Sequence, residues 1–291
     1  MNHILVTGAA GNLGGRVLAA LHRRGVPVRA LVRHDDRAGA LVGSPEVVVG
    51  DYDDHHRLTH ALSGVHRVFL VSANGPAQVA QECAVIDAAV DAGVSLVVKV
   101  SAHGADPEAP VGFWRAHAAV ERHLAQSGIR SVVLRPTYLM SNLLGEAPQV
   151  RQHGLLPSPP LSAPLAMVDP DDVADVAAHV LLGGTGPDVT QRTLHLTGPE
   201  PVTLGAVATL LGEIAGHPVQ HLAAPPEQAQ AAMRAQGVAE PVVAEILRLF
   251  AALDQGAYAA TTTTVADILG RAPRDVRDFL HRHAHLFQPA A

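Results

Sequence analysis

The stretch His3-Ile4-Leu5-Val6-Thr7-Gly8-Ala9-Ala10-Gly11-Asn12-Leu13-Gly14-Gly15-Arg16 decides the fold. Residues 3–7 are a short apolar run that reads as a buried strand. Gly8, Gly11 and Gly14 follow at G-x-x-G-x-x-G spacing. From Leu13 the pattern turns helical, with Leu13, Val17, Ala20 and Leu21 on one face. Glycine admits positive φ and lets backbone N–H groups approach a ligand. The unpaired N–H groups and the positive dipole end of the helix then favour a pyrophosphate. The same glycines would suit an ordinary tight turn. The strand before them and the helix after them favour a dinucleotide-binding corner built from Thr7, Gly8, Gly11, Asn12, Leu13 and Gly14.

Outward from this corner, strands alternate with helices. Apolar runs at 26–32, 47–49, 67–71, 95–100 and 131–134 read as strands, and 54–62, 77–92 and 113–126 as helices. Continuous apolar strands separated by helices predict an α/β fold, a parallel doubly wound sheet of the Rossmann type covered on both faces. Ligands then sit at the carboxyl ends of the strands. After Met140 the texture changes. Residues 145–166, rich in Pro, Gly and Ser, read as a loop into a smaller, mostly helical lobe. The expected division is 1–144 as the dinucleotide-binding domain and 145–291 as the lobe, with 168–197 returning to the first. Asp169 is placed to cap a helix with Pro170 at N1. A strand at 192–196, a helix after Thr203, an edge strand at 220–223 and helices at 226–234, 241–253, 265–269 and 276–285 complete the prediction.

Composition excludes several classes. The 291 residues are 48% apolar and 16% charged, which fits a globular chain of one large domain with an appendage, or of two domains. Net charge is −6 with no dense basic stripe, so neither nucleic acid nor an anionic membrane is an expected partner. No apolar run is long enough to span a bilayer, and no leader pattern precedes the first strand. The single cysteine, Cys83, suits a reducing, cytoplasmic setting and reads as a small core residue. His281 and His285 would share a helix face, but with no acidic or cysteine ligand close by no metal site is expected.

Arg33 closes the second strand. A carboxylate there would hold the ribose hydroxyls of NAD, whereas arginine favours the 2′-phosphate of NADP. Asp35 and Asp36 follow, so NAD(H) stays open as the less favoured cofactor. Asp51 ends the third strand and either accepts from the adenine amino group or serves as a turn aspartate. Ser72, Ala73 and Asn74 follow the fourth strand, where the nicotinamide ribose would lie, or simply begin a turn at Asn74-Gly75.

Gly8-Ala9-Ala10-Gly11-Asn12-Leu13-Gly14, Arg33, Gly50-Asp51, Val100-Ser101-Ala102, Leu134-Arg135-Pro136-Thr137-Tyr138, Asp171-Asp172-Val173-Ala174 and Leu196-Thr197-Gly198-Pro199-Glu200 occur in that order. Over roughly residues 3–215 the chain thereby resembles an atypical short-chain dehydrogenase/reductase of the NmrA-like group. That group includes NADPH quinone reductases and triphenylmethane reductases, and also redox-sensing regulators. The resemblance implies a Rossmann fold with NADPH, and it places Pro136 and Thr137 beside the nicotinamide carboxamide. It also places Ser101 where related enzymes keep a hydrogen-bonding serine, either orienting a substrate oxygen or closing a strand-end turn.

The departure lies in Phe113-Trp114-Arg115-Ala116-His117. Relatives with dehydrogenase activity carry Tyr-x-x-x-Lys on this helix, and here Phe113 and His117 stand in those places. Phenylalanine transfers no proton, which disfavours alcohol–ketone chemistry and sugar-nucleotide epimerisation. An already electrophilic acceptor needs less acid assistance. A histidine near its ordinary pKa of about 6.5 could then supply the proton, unless His117 is a helix-surface residue. Trp114, Tyr138 and Met140 either wall a planar substrate or pack between the lobes. The expectation is an NADPH-dependent reductase of a planar, electron-poor acceptor such as a quinone or a biosynthetic intermediate, with a second copy of the chain as a protein partner in view. The alternative is a non-catalytic NAD(P) sensor that binds a regulatory protein.

Overall fold

The computed structural model describes residues 3–34, 39, 41–184 and 191–288. Asp35 and Asp36 lie outside them. Seven parallel strands form the main sheet: β1 (His3–Val6), β2 (Val28–Val32), β3 (Glu46–Val49), β4 (Val65–Leu70), β5 (Leu96–Val100), β6 (Ser131–Pro136) and β8 (Gln191–Leu196). Their order is β3-β2-β1-β4-β5-β6-β8. Chain order therefore reverses between β1 and β4, which opens a crevice at the carboxyl ends of those two strands.

Helices cover both faces because the strands are buried on both. On one face α1 (Asn12–His22) and α6 (Pro170–Leu181) pack together over the sheet. Val173, Val176, Ala177, Val180 and Leu181 of α6 are fully buried there. Each of the larger side chains contributes about 1.5–3 kcal/mol of burial. On the other face lie α2 (His55–Leu62), α3 (Gln78–Asp91) and α4 (Gly112–Gln126). Asp169 caps α6 by accepting from the Asp171 N–H, with Pro170 in the first turn, as its sequence predicts.

A second core gathers the segment after Met140 and the C-terminal helices. Residues 145–166, expected as a loop, hold α5 (Ala147–His153) and β7 (Leu155–Ser158). The proline and glycine that suggested a loop are end signals: Pro148 sits in the first turn of α5, and Gly154 at φ 65° ends it. β7 pairs in parallel with β9 (Gln220–Ala223), the expected edge strand. The helix expected at 276–285 is instead two, Val276–Arg282 and Ala284–Phe287, because the His283 Nδ1 bonds the Phe279 carbonyl and ends the first. His281 and His285 consequently fall in separate helices. No helix among the described residues is long and apolar enough to cross a membrane.

Candidate active site

The glycine turn follows β1 directly. Gly8 adopts φ +57°, and a Cβ there would meet Val71 at 2.8 Å. Gly11 N–H donates to the Gly8 carbonyl at 2.8 Å and closes the turn. Gly11 also occupies the cap position of α1, so no side chain caps this helix, and its first turn carries no acid. The helix therefore presents free N–H groups to an anion. Thr7 lies behind this surface: its fully buried hydroxyl donates to Phe69 O and Val71 O and ties β1 to β4. Asn12 is engaged sideways, donating to Ser141 Oγ at 2.7 Å and accepting from Arg16.

A groove of about 510 Å³ runs past this turn, with Arg33 at one side and Ser72 and Ala73 at the other. Arg33 is exposed at the end of β2. Neither Asp51 nor Asn74 lines the groove. Asp51 is turned to its own neighbour and accepts from the Tyr52 N–H at 2.7 Å. Tyr52, which sequence reasoning passed over, does line the groove. Its hydroxyl accepts from Gly8 N–H and donates to Val71 O, both at 3.1 Å, so it braces the turn from below. Burial pushes its phenol up in pKa, so it stays protonated. The uncapped helix, the glycine turn and the neighbouring guanidinium together fit a phosphorylated dinucleotide.

The second half of the site lies at the ends of β4 and β5. Lys99, on β5, is fully buried, and its Nζ lies 2.7 Å from Glu82 Oε2 of α3. The same Nζ lies 3.2 Å from His117 Nδ1 and donates to Val100 O at 2.7 Å. Gln78 Nε2 also stands 3.2 Å from His117 Nδ1. Ser72 Oγ donates to Glu82 Oε1 at 2.7 Å, linking the groove to this cluster. The sequence carried a signal for the pair: a lysine inside the apolar run Leu96–Val100, and a glutamate on the apolar face of α3 with Val85 and Ile86.

Burial and the nearby Lys99 and Arg135 charges hold His117 well below the ordinary histidine value of 6.5. This corrects the expectation of an imidazole titrating near neutrality. Ser101 is buried, and its hydroxyl donates to Glu121, which Arg135 grips through Nε at 3.0 Å and a terminal nitrogen at 2.6 Å. Its proton is thus directed at Glu121 and away from any ligand. Thr137 is buried and donates to Ala166 O at 2.5 Å, and Pro136 beside it is also buried, so neither hydroxyl nor ring faces the groove.

The three expected pocket residues go into packing. Met140 is fully buried in the second core. Trp114 is buried and stacks on Tyr258 with ring centroids 5.6 Å apart. Tyr138 packs edge-on against Phe250 at 6.4 Å, and burial pushes its phenol up to about 12. Cys83 is half-buried with its thiol raised by burial, which keeps it protonated and unreactive.

Comparison with known proteins agrees with this architecture. The profile of the NmrA-like family matches residues 1–280. An NAD(P)H azoreductase of Xenophilus azovorans is 32% identical over 99% of this chain and 100% of its own. A (4-alkanoyl-5-oxo-2,5-dihydrofuran-3-yl)methyl phosphate reductase of Streptomyces griseus is 36% identical over 98% of this chain and 99% of its own. Among solved structures, the NADPH complex of an NADPH-dependent quinone oxidoreductase from Escherichia coli superposes with a TM-score of 0.84 at 27% identity, over 96% of this chain and 99% of that one. With its Rossmann-like sheet, its glycine turn and a family match over nearly its whole length, the chain belongs to the NmrA-like family.

Proposed function

We propose that this protein is an NADPH-dependent reductase that delivers hydride to a planar, electron-poor organic acceptor such as a quinone or an azo compound. The observation that carries this reading is a groove whose wall residue Ser72 is hydrogen-bonded to the buried cluster around His117. An uncapped glycine-turn helix and Arg33 stand at one end, and Ser72 at the other hydrogen-bonds into the cluster that holds His117. The azo and furanone reductases and the quinone oxidoreductase to which the chain is similar support a reducible planar acceptor.

Bound NADPH supplies the hydride. The chain supplies the rest. The N–H groups at the start of α1 receive the pyrophosphate, and Arg33 receives the 2′-phosphate. His117 does not act as an imidazolium, because both groups facing Nδ1 are donors and its pKa is lowered. It presents Nε2–H to the acceptor as a neutral hydrogen-bond donor and stabilises the charge that develops on the acceptor heteroatom. Tyr-x-x-x-Lys chemistry has no counterpart in this reading, since Phe113 and His117 occupy those places.

The test is consumption of NADPH by the purified protein with a panel of quinones and azo dyes, followed by loss of the reduced cofactor's absorbance. Protein-dependent consumption is the expected result. Tight NADPH binding with no consumption across the panel would overturn the catalytic reading.

A further inference from the structure

Lys99 is the only lysine in the chain, among 21 basic residues. It is fully buried, and so is its partner Glu82. A buried ion pair costs desolvation, and a pair of apolar residues in its place is often neutral or stabilising. The geometry gives the charge a use. Lysine can only donate, so a Lys99 Nζ at 3.2 Å from Nδ1 fixes that ring nitrogen as the acceptor. Gln78 reinforces the choice, because its Nε2 points at both Nδ1 and the Glu82 carboxylate, an orientation that leaves the Gln78 Oε1 buried without a partner. His117 Nε2 makes no hydrogen bond among the described residues and is not among the fully enclosed polar atoms that lack one. It is therefore the nitrogen at the open edge of the ring.

Resting on the reductase reading, we propose that Lys99 is the proton reservoir behind His117. An acceptor that has taken a hydride still needs one proton on its oxygen or nitrogen. Nε2–H passes to that atom while a Lys99 Nζ–H passes to Nδ1. The imidazole is neutral before and after; it changes tautomer, and Lys99 becomes a neutral amine beside the Glu82 carboxylate. The site resets when Nε2 takes a proton from water and Nδ1 returns its own to Lys99. Glu82 positions the ammonium, Ser72 positions Glu82, and Arg135 is the other charge acting on the ring.

The first test uses the protein without cofactor. The ring nitrogens of His117, assigned by difference against His117→Gln, are read by ¹⁵N NMR between pH 6 and 8. The expected state is neutral with the proton on Nε2. In Lys99→Met/Glu82→Gln, which removes both buried charges together, the Nε2–H preference should weaken. A proton on Nδ1 in the wild type, or a tautomer indifferent to the double substitution, overturns the proposal.

The second test separates proton delivery from hydride delivery. A quinone takes a hydride and a proton, whereas a triarylmethyl cation takes a hydride alone. The double variant, shown to bind NADPH normally, should lose about 100-fold in quinone turnover. It should retain turnover of the cationic dye. Equal loss on both acceptors, or no loss on either, assigns Lys99 to packing and overturns the proposal. If the wild type consumes NADPH with neither acceptor, the reductase reading fails, and the relay fails with it whatever the tautomer.

Discussion

A Cβ on Gly14 would lie 2.1 Å from the Gly8 carbonyl oxygen and 2.9 Å from that of Thr7. The first turn of α1 thus rests directly on the end of β1, and only glycine permits that approach. The contact is with backbone, which has no rotamer to yield. Gly14→Ala should therefore push α1 off the strand, cost about 1–3 kcal/mol of stability, and weaken NADPH binding at the same time. Denaturant unfolding and cofactor titration check both. Unchanged values in each would mean that the turn tolerates a methyl group.

Arg33 is the exposed cation beside the groove. A charge-assisted pair with a phosphate contributes about 1.5–3 kcal/mol. Arg33→Ala should weaken NADPH by roughly 10- to 100-fold and leave NADH nearly unchanged. Titration of both cofactors by fluorescence decides it; equal losses remove Arg33 from the 2′-phosphate.

His117 touches no residue of the glycine turn in the described hydrogen bonds. His117→Ala should lower kcat about 100-fold while the NADPH Kd changes little. Wild-type turnover in this variant would make His117 a packing residue.

The lowered pKa of His117 has a consequence for stability. Its folded value lies below the ordinary 6.5, and burial lowers His103 and His195 in the same direction. Below pH 6.5 the unfolded chain binds protons that the folded chain refuses, so stability is intact above that pH and is lost as pH falls through it. Tm should drop between pH 7.5 and 5.5, and less steeply in His117→Gln. A Tm that is constant or rises on acidification contradicts this.

Asp172 is fully buried at the start of α6. It accepts the Arg274 backbone N–H at 2.7 Å and pairs with the guanidinium groups of Arg271, at 2.8 Å, and of Arg274. This anchors the C-terminal helices to the main domain. Asp172→Ala should destabilise by about 3 kcal/mol, below the full cost of a broken buried pair because both arginines are about a third exposed. Limited proteolysis should then cut first after residue 270; unchanged resistance would show the clamp to be redundant.

The Asp171-Asp172 pair illustrates how far the sequence could be read. Asp169 and Pro170 declared a helix start, because capping acts within a few residues of the chain. The arginines that Asp172 collects lie about 100 positions later, and no periodicity points to them. Gly154 and Pro148 carry a local meaning too, yet in a Pro-rich stretch they suit a loop as well as a helix end, because whether such residues punctuate a helix or replace one depends on what packs between them. By sequence Trp114, Tyr138 and Met140 suit a ligand wall or packing alike, and the tertiary structure packs them in or against the second core.

The sequence by itself determined the α/β fold, the glycine corner and the cation at the end of β2. Each depends on the spacing of neighbouring residues along one strand, one turn and one helix. Only the tertiary structure decided what His117 is. Its charge state and its tautomer come from Lys99 on β5 and from Gln78 and Glu82 on α3, brought against the ring by sheet order and helix packing, and from the removal of water around them. Electrostatics acts through space at a few ångströms, and distance along the chain does not encode it.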